Sequence, residues 1–100
     1  MSEASTLVVT ATPNPNEAEA LQAYFEGVRP LLMGAGGKLV KRLRIAESIS
    51  GTPDYRMLLV MDFESKDAIT KVFASEEYAA LLPNREKGFT SIVISIGGDA

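Results

Sequence analysis

The chain has 100 residues, with 10 basic and 13 acidic side chains and a formal net charge of −3. This length predicts one domain, and the acidic balance argues against general binding to nucleic acid or anionic membranes, which depends on an excess of basic residues. The sequence contains no Cys, His or Trp, which excludes disulfides, thiol catalysis, zinc–thiolate sites and acid–base chemistry by histidine.

The first predicted strand covers residues 6–12, TLVVTAT, which are rich in β-branched side chains. Asn14 and Pro15 follow in the order typical of a helix cap and a first helical position. Apolar residues then recur at helical spacing, and Pro30 is expected to kink this helix or to end it early. The apolar positions are Leu21, Tyr24, Phe25, Val28 and Leu32.

The segment GAGGKLVKRLRI, residues 34–45, has the glycines and the lysine of a phosphate-binding loop. Such a loop runs from a strand into a helix, so that the helix N-terminus meets the anion. Here the glycines leave a helix and enter a strand, and we interpret them as a helix stop signal. Alternation divides the basic residues that follow between two strand faces. They form no single strip, and we predict no nucleic-acid partner.

Two strand patterns, residues 37–48 and 55–64, predict a hairpin with its turn centred on Gly51. Symmetrical pairing about this glycine places Arg42 and Asp62 on the same face, away from the helices. A one-residue slip in register would reverse these face assignments.

Ser65 and Ser75 each precede a helical segment, as helix-capping residues do. Pro83 and Asn84 are expected to end the second of these short helices. Residues 89–97 predict the last strand. The order β–α–β–β–α–β predicts a ferredoxin-like α+β sandwich, in which one four-stranded antiparallel sheet carries both helices on one face.

The other face of the predicted sheet combines apolar and polar side chains. Its residues are Val8, Val40, Leu58, Val60 and Val93, with Thr10, Arg42, Asp62, Ser91 and Ser95. An exposed apolar area of this extent usually marks an interface. A second copy packed sheet against sheet in a closed two-fold dimer would cover it, and polar groups inside the interface would line a cavity.

An ordered set of positions carries a family resemblance. The set is Tyr24; Gly36, Gly37 and Lys38 with Arg42; Asp62, Phe63 and Ser65; Ser75, Glu77 and Tyr78; and Arg85. It resembles the dimeric α+β barrel superfamily, which includes antibiotic-biosynthesis monooxygenases, and most closely a small bacterial family known only as a domain of unknown function. Lys38 and Asp62 stand where that family usually has Arg and Glu. The resemblance implies a single dimeric α+β barrel domain over residues 1–100, with its core at about 6–97.

Five side chains are candidate site residues. Arg42 and Asp62 are the catalytic candidates, because an arginine can fix an anionic or enolate oxygen while a carboxylate accepts or relays a proton. The alternative is an internal salt bridge between them. Tyr24, Tyr78 and Arg85 are the ligand-binding candidates, because a Tyr–Arg pair can hold a carboxylate or an aromatic ligand. The alternative is that both tyrosines pack in the core with their hydroxyls at its rim.

We therefore predict a cytoplasmic homodimer that binds a small organic or anionic molecule near the sheet–sheet interface, with no cofactor, metal or membrane partner. Two alternatives stay open: a cofactor-independent monooxygenase-like or isomerase-like enzyme, and a structural or interaction dimer without catalysis. The cytoplasmic location is expected because the apolar run at residues 7–9 is too short for a signal peptide or a membrane span.

Overall fold

The computed structural model describes residues 5–98, which form a four-stranded antiparallel sheet with helices packed on one face. The elements are β1 (Ser5–Pro13), α1 (Ala18–Gly34), β2 (Lys38–Arg44), β3 (Met57–Phe63), α2 (Lys66–Phe73), α3 (Glu76–Ala79), α4 (Leu82–Gly88) and β4 (Phe89–Gly97). The strands lie in the order β2-β3-β1-β4. This arrangement confirms the predicted ferredoxin-like α+β fold.

The core lies between the sheet and α1, and the alternation of the central strands explains its position. In β1, Leu7 and Ala11 are buried, and in β3, Met61 and Phe63 are buried, whereas the residues between them are more exposed. Complete burial of a large apolar side chain stabilises the fold by about 1.5–3 kcal/mol. The helices contribute the remaining buried apolar residues, among them Tyr24, Val28, Leu32, Ile69, Val72 and Tyr78.

The ends of α1 differ from the predicted ones in two respects. Residues 14–17 form a turn first, in which the Asn14 side chain accepts a hydrogen bond from the Asn16 N–H at 3.0 Å, so the helix begins at Ala18. Pro30 does not end the helix, which continues to Gly34. Pro30 lacks a backbone N–H donor, but it lies on the exposed side of the helix, where the core does not pack against its ring.

Two glycines end α1, as the sequence indicates. Gly36 has a φ of +89°, which favours glycine, and its N–H bonds to the Met33 carbonyl at 3.1 Å. Gly37 donates to the Leu32 carbonyl at 3.0 Å. A Cβ atom on Gly37 would lie 2.7 Å from Phe63 Cζ, so this position also requires the absence of a side chain.

The second half of the chain contains one more helix than predicted. Ser65 and Ser75 cap α2 and α3 by accepting bonds from the Ala68 and Tyr78 N–H groups at 3.2 and 3.1 Å. Pro83 then lies near the start of α4 rather than after the last helix, because a proline is tolerated in a first helical turn. Within residues 5–98, no helix is both long enough and apolar enough to cross a membrane.

The predicted register of the hairpin is wrong. Leu39 pairs with Met61 and keeps its predicted face, but the register shifts between Leu39 and Lys41, and Arg42 pairs with Leu59. Val40 is therefore the extra residue of a β-bulge, which reverses the facing of every later β2 residue. Arg42 consequently lies on the helix-covered face of the sheet.

Candidate functional site

A cavity of about 370 Å³ lies between α1 and the helix-covered face of the sheet. This volume is within the range typical of small-molecule sites. Most of its lining is apolar and comes from all four strands and from α1, including Leu7, Val9, Val28, Leu32, Met33, Leu39, Leu59, Met61, Ile92 and Ile94. The cavity therefore lies on the opposite face of the sheet from the predicted sheet–sheet interface, where we expected the pocket.

Three charged side chains also line the cavity, namely Glu26, Arg29 and Arg42. Glu26 accepts a hydrogen bond from Gln22 Nε2 at 3.0 Å, which engages its carboxylate along the surface of α1. The guanidinium carbon of Arg42 lies 5.3 Å from the centroid of the Phe25 ring. The ring face attracts the cation, so Phe25 holds the Arg42 guanidinium at the α1 side of the cavity.

Asp62 lies on the opposite, open face of the sheet. Its Oδ1 accepts a hydrogen bond from Thr6 Oγ1 at 2.7 Å, and its register partner in β2 is Lys38. The structure therefore does not bring Arg42 and Asp62 together, either as a site or as an internal salt bridge. The bulge at Val40 is the physical reason for this correction.

The same bulge changes the composition of the open face. Unlike the predicted open face, the observed one does not contain Arg42. It contains Lys41 and Leu43 instead, which pair with Val60 and Leu58 of β3. The face carries Thr6, Val8, Thr10, Lys38, Lys41, Leu43, Leu58, Val60, Asp62, Ser91, Val93 and Ser95. It therefore keeps the mixed apolar and polar character that the sequence indicates.

Tyr24, Tyr78 and Arg85 form one hydrogen-bonded cluster. The two tyrosine hydroxyl oxygens lie 2.8 Å apart, and Arg85 Nη1 donates to Tyr78 Oη at 3.1 Å. Tyr24 and Tyr78 are only 4% and 3% exposed, whereas Arg85 is half-buried. Tyr24 lines the cavity and Tyr78 does not, so the cluster extends from the cavity wall to Arg85 in α4.

Aromatic rings surround this cluster and fix the position of Tyr24. The Tyr24 ring meets Phe89 edge-on at a centroid distance of 5.5 Å, and Phe73 meets Tyr78 in the same way at 4.8 Å. Burial raises the pKa of Tyr24 well above the ordinary tyrosine value, and the Tyr78 hydroxyl raises it further, against the opposing effect of Arg85. Tyr24 is therefore a neutral phenol at physiological pH.

Several cavity residues were not identified as site candidates from the sequence. The sequence predicts Phe25 only as part of the apolar stripe of α1, and it does not mark Arg29, four residues later on the same helix, as a site residue. The signal available was this i, i+4 spacing, which puts both side chains on one side of the helix. Within residues 5–98, no group of three or more His, Cys, Asp or Glu residues is placed to hold a metal ion.

The comparison with solved structures shows the fold. A protein of unknown function from Rhodopseudomonas palustris, RPA0582, has a TM-score of 0.83 at 15% identity, covering 100% of this chain and 85% of that one. SnoaB from Streptomyces nogalater, a cofactor-independent oxygenase, has a TM-score of 0.68 at 11% identity, with coverage of 99% and 95%. A dimeric ferredoxin-like protein of unknown function from Thermobifida fusca has a TM-score of 0.61 at 13% identity, with coverage of 99% and 93%.

The comparison by sequence identifies the family. No curated protein sequence matches the chain. The model of the family described as "Domain of unknown function (DUF1330)" matches residues 5–98, which is nearly the whole chain. The resemblance carried by the glycine, tyrosine and arginine positions is thereby confirmed, and the chain belongs to the DUF1330 family.

Proposed function

We propose that the protein binds a small, largely apolar organic molecule with an anionic group in the cavity between α1 and the sheet. The observation that carries this proposal is the combination of an apolar cavity of about 370 Å³ with two arginines in its lining. Sites for small organic ligands commonly combine an apolar wall with a few polar groups that orient the ligand. Here Arg42, although exposed, is the orienting group for the anion, because the Phe25 ring attracts its guanidinium towards the cavity wall.

The charge of the lining supports an anionic ligand. Glu26 is engaged by Gln22 on the surface of α1, whereas the guanidinium carbon of Arg42 lies over the Phe25 ring. A guanidinium over an aromatic ring makes no conventional hydrogen bond to that ring, so its N–H groups stay available for a carboxylate, sulfonate or enolate oxygen. Asp62 has no part in this proposal, since it lies on the other face of the sheet.

We also propose that a second copy of the chain covers the open face of the sheet. Val8, Leu58 and Val60 are only half-buried there, and Val93 is 58% exposed. Ferredoxin-like neighbours of this chain include dimeric proteins from Thermobifida fusca and Bacteroides fragilis. Burial of this apolar area in a closed two-fold dimer would remove it from water, while Asp62 of one copy could meet Lys38 or Lys41 of the other.

A second candidate function is oxygenation without a cofactor. SnoaB, a neighbour by fold, is a cofactor-independent oxygenase, and an apolar cavity suits an aromatic substrate that supplies its own reactivity. The observation in this chain that favours it is the presence of Arg42 in the lining of this apolar cavity. A guanidinium can stabilise the negative charge of a developing enolate oxygen.

The binding proposal can be tested with 8-anilinonaphthalene-1-sulfonate, whose fluorescence rises in an apolar site and whose sulfonate suits Arg42. We expect the folded protein to bind it, and Arg42→Met to weaken binding about tenfold, as for the loss of a charged hydrogen bond. Arg44→Met is the matched control, because Arg44 is exposed on the same strand and does not line the cavity. Binding that is equally affected by both variants, or absent from the wild type, would contradict the proposal.

The size of the cavity provides a second variant. Leu59 lines the cavity and is the register partner of Arg42, so Leu59→Trp should fill the space beside the guanidinium. We expect this variant to abolish fluorescence enhancement while its circular dichroism spectrum keeps the wild-type shape. Undiminished enhancement in a folded Leu59→Trp protein would place the dye elsewhere.

A further inference from the structure

Four residues on the helix-covered face of the sheet form one row that crosses all four strands. Arg42 of β2 pairs with Leu59 of β3, Leu59 pairs with Val9 of β1, and Val9 pairs with Ile94 of β4. All four residues line the cavity. Because paired side chains lie side by side on one face of a sheet, this row forms a cavity floor with a cationic end at β2 and an apolar remainder.

On the central strands, the row is less buried than the residues beside it on the same face. Val9 and Leu59 are half-buried, whereas Leu7 and Ala11 of β1 and Met61 of β3 are buried. Residues two positions apart on a strand are separated by roughly 7 Å. The accessible part of the cavity floor is therefore a narrow strip, about one row of residues wide, that runs across the strands.

The row also sets a length for the apolar part of the strip. Neighbouring strands lie about 4.8 Å apart, so the two spacings between Leu59 in β3 and Ile94 in β4 amount to roughly 10 Å. An extended alkyl chain advances about 1.25 Å per carbon, given C–C bonds of about 1.5 Å and near-tetrahedral angles. A chain of about eight carbons therefore reaches from Leu59 to Ile94.

The side chains of the row determine which chemistry fits this strip. Leu59, Val9 and Ile94 have only aliphatic carbon in their side chains, so they favour an apolar ligand segment. The Arg42 guanidinium, which lies 5.3 Å from the centroid of the Phe25 ring, is always charged and can only donate hydrogen bonds. The complementary ligand is therefore long and narrow, with an anionic group at one end only.

We propose that the ligand of this cavity is a straight-chain alkyl carboxylate of about eight to ten carbons. Its carboxylate contacts the Arg42 guanidinium, and its chain lies along Leu59 and Val9 towards Ile94. This inference rests on the proposed binding function and specifies the ligand class of that site. Since each methylene group that enters the strip leaves water, the affinity depends on the length of the chain.

Isothermal titration calorimetry with n-alkyl carboxylates from hexanoate to tetradecanoate tests this dependence. In the wild type, we expect the affinity to rise about fourfold for each added methylene group, the value for complete burial of that group. The rise should stop at about ten carbons, where the chain passes Ile94. Adamantane-1-carboxylate is the compact control. Its carbon cage is wider than an alkyl chain, and we expect it to bind at least about tenfold more weakly than decanoate.

A variant at the far end of the row tests the direction of the chain. Ile94→Trp should shorten the chain length at which the affinity stops rising by about four carbons, which is one strand spacing. The affinity for hexanoate should stay within about twofold of the wild-type value. Ile96→Trp is the matched control, because Ile96 lies on the same face of the same strand but does not line the cavity. If Ile94→Trp does not fold, Ile94→Ala enlarges the same end and should move the limit to longer chains.

The outcomes separate this inference from the proposed function when binding of 8-anilinonaphthalene-1-sulfonate is measured on the same samples. A length limit that moves in the Ile94 variant and stays in place in Ile96→Trp would support both. If the dye binds but the affinity of the carboxylates does not rise with length, the inference is overturned and the binding function stands. The same conclusion follows if the adamantane compound binds as tightly as decanoate, or if the Ile94 variant leaves the limit unchanged. Binding of neither the dye nor any carboxylate would contradict both.

Discussion

Neighbouring residues of β1 and β3 contribute to two faces of the sheet with different surroundings. On the helix-covered face, Leu7 is fully buried and Leu59 lines the cavity. On the open face, Val8 and Val60 are half-buried, and Asp62 is exposed and bonded to Thr6. The facing of a residue, more than its type, therefore determines whether it belongs to the core, the cavity or an interface.

The largest effect on stability is expected from the covered face. Leu7→Ala should lower the free energy of unfolding by about 3 kcal/mol, because Leu7 has no exposed surface and its truncation removes buried apolar contacts. Val8→Ala, one residue later on the open face, should cost about 1 kcal/mol or less at protein concentrations where the chain is monomeric. Urea denaturation measures both, and equal losses would contradict the distinction between the faces.

The open face should instead control self-association. Val60→Asp introduces a charge at the centre of the proposed dimer interface, and we expect the dimer dissociation constant to rise by roughly 30-fold or more. Ile49→Asp is the control, since Ile49 is fully exposed in the loop between β2 and β3. Sedimentation equilibrium measures the constant, and an unchanged value for Val60→Asp would place the interface elsewhere.

On the covered face, the contributions of Tyr24 and Tyr78 to the free energy of unfolding should depend on each other. Tyr78→Phe leaves Tyr24 Oη and Arg85 Nη1 without their shared partner, and we expect a loss of about 1–2 kcal/mol. The double variant Tyr24→Phe/Tyr78→Phe should cost less than the sum of the single ones, because both remove the same bond. Additive losses in chemical denaturation would mean that the two hydroxyls contribute independently.

At alkaline pH, the burial of Tyr24 should lower the free energy of unfolding. The pKa of Tyr24 is raised above the unfolded value of 10.0, so above pH 10 the unfolded chain releases a proton that the folded chain retains. Stability should therefore fall by about 1.4 kcal/mol per pH unit on this account. Tyr24→Phe should lack this component between pH 10 and 11.5. Parallel stability curves for the variant and the wild type would contradict the assignment.

Local patterns predicted much of the fold, because the features concerned depend on neighbouring residues. The caps at Ser65 and Ser75, the glycine end of α1 and the bounds of β4 all follow from short-range rules and agree with the structure. The face of Arg42 could not be predicted in this way. It depends on the bulge at Val40, which pairing with another strand determines and which leaves no mark on the alternation of β2 itself.

The candidate site was predicted in part. Tyr24, Tyr78 and Arg85 were selected from the sequence, and the structure places them in one hydrogen-bonded cluster. The cavity that Tyr24 lines was not predicted on that face, because its walls come from four strands and a helix that are far apart in the chain. Only their packing shows that an open volume is left between them.

We propose above that the ligand site lies on the helix-covered face of the sheet. The most direct measurement is methyl NMR of Ile-, Leu- and Val-labelled protein during titration with 8-anilinonaphthalene-1-sulfonate, since adjacent strand residues report on opposite faces. We expect the methyl resonances of Val9, Leu59 and Ile94 to shift, while those of Val8 and Val60 stay in place. Shifts confined to Val8 and Val60 would contradict the account and move the site to the open face.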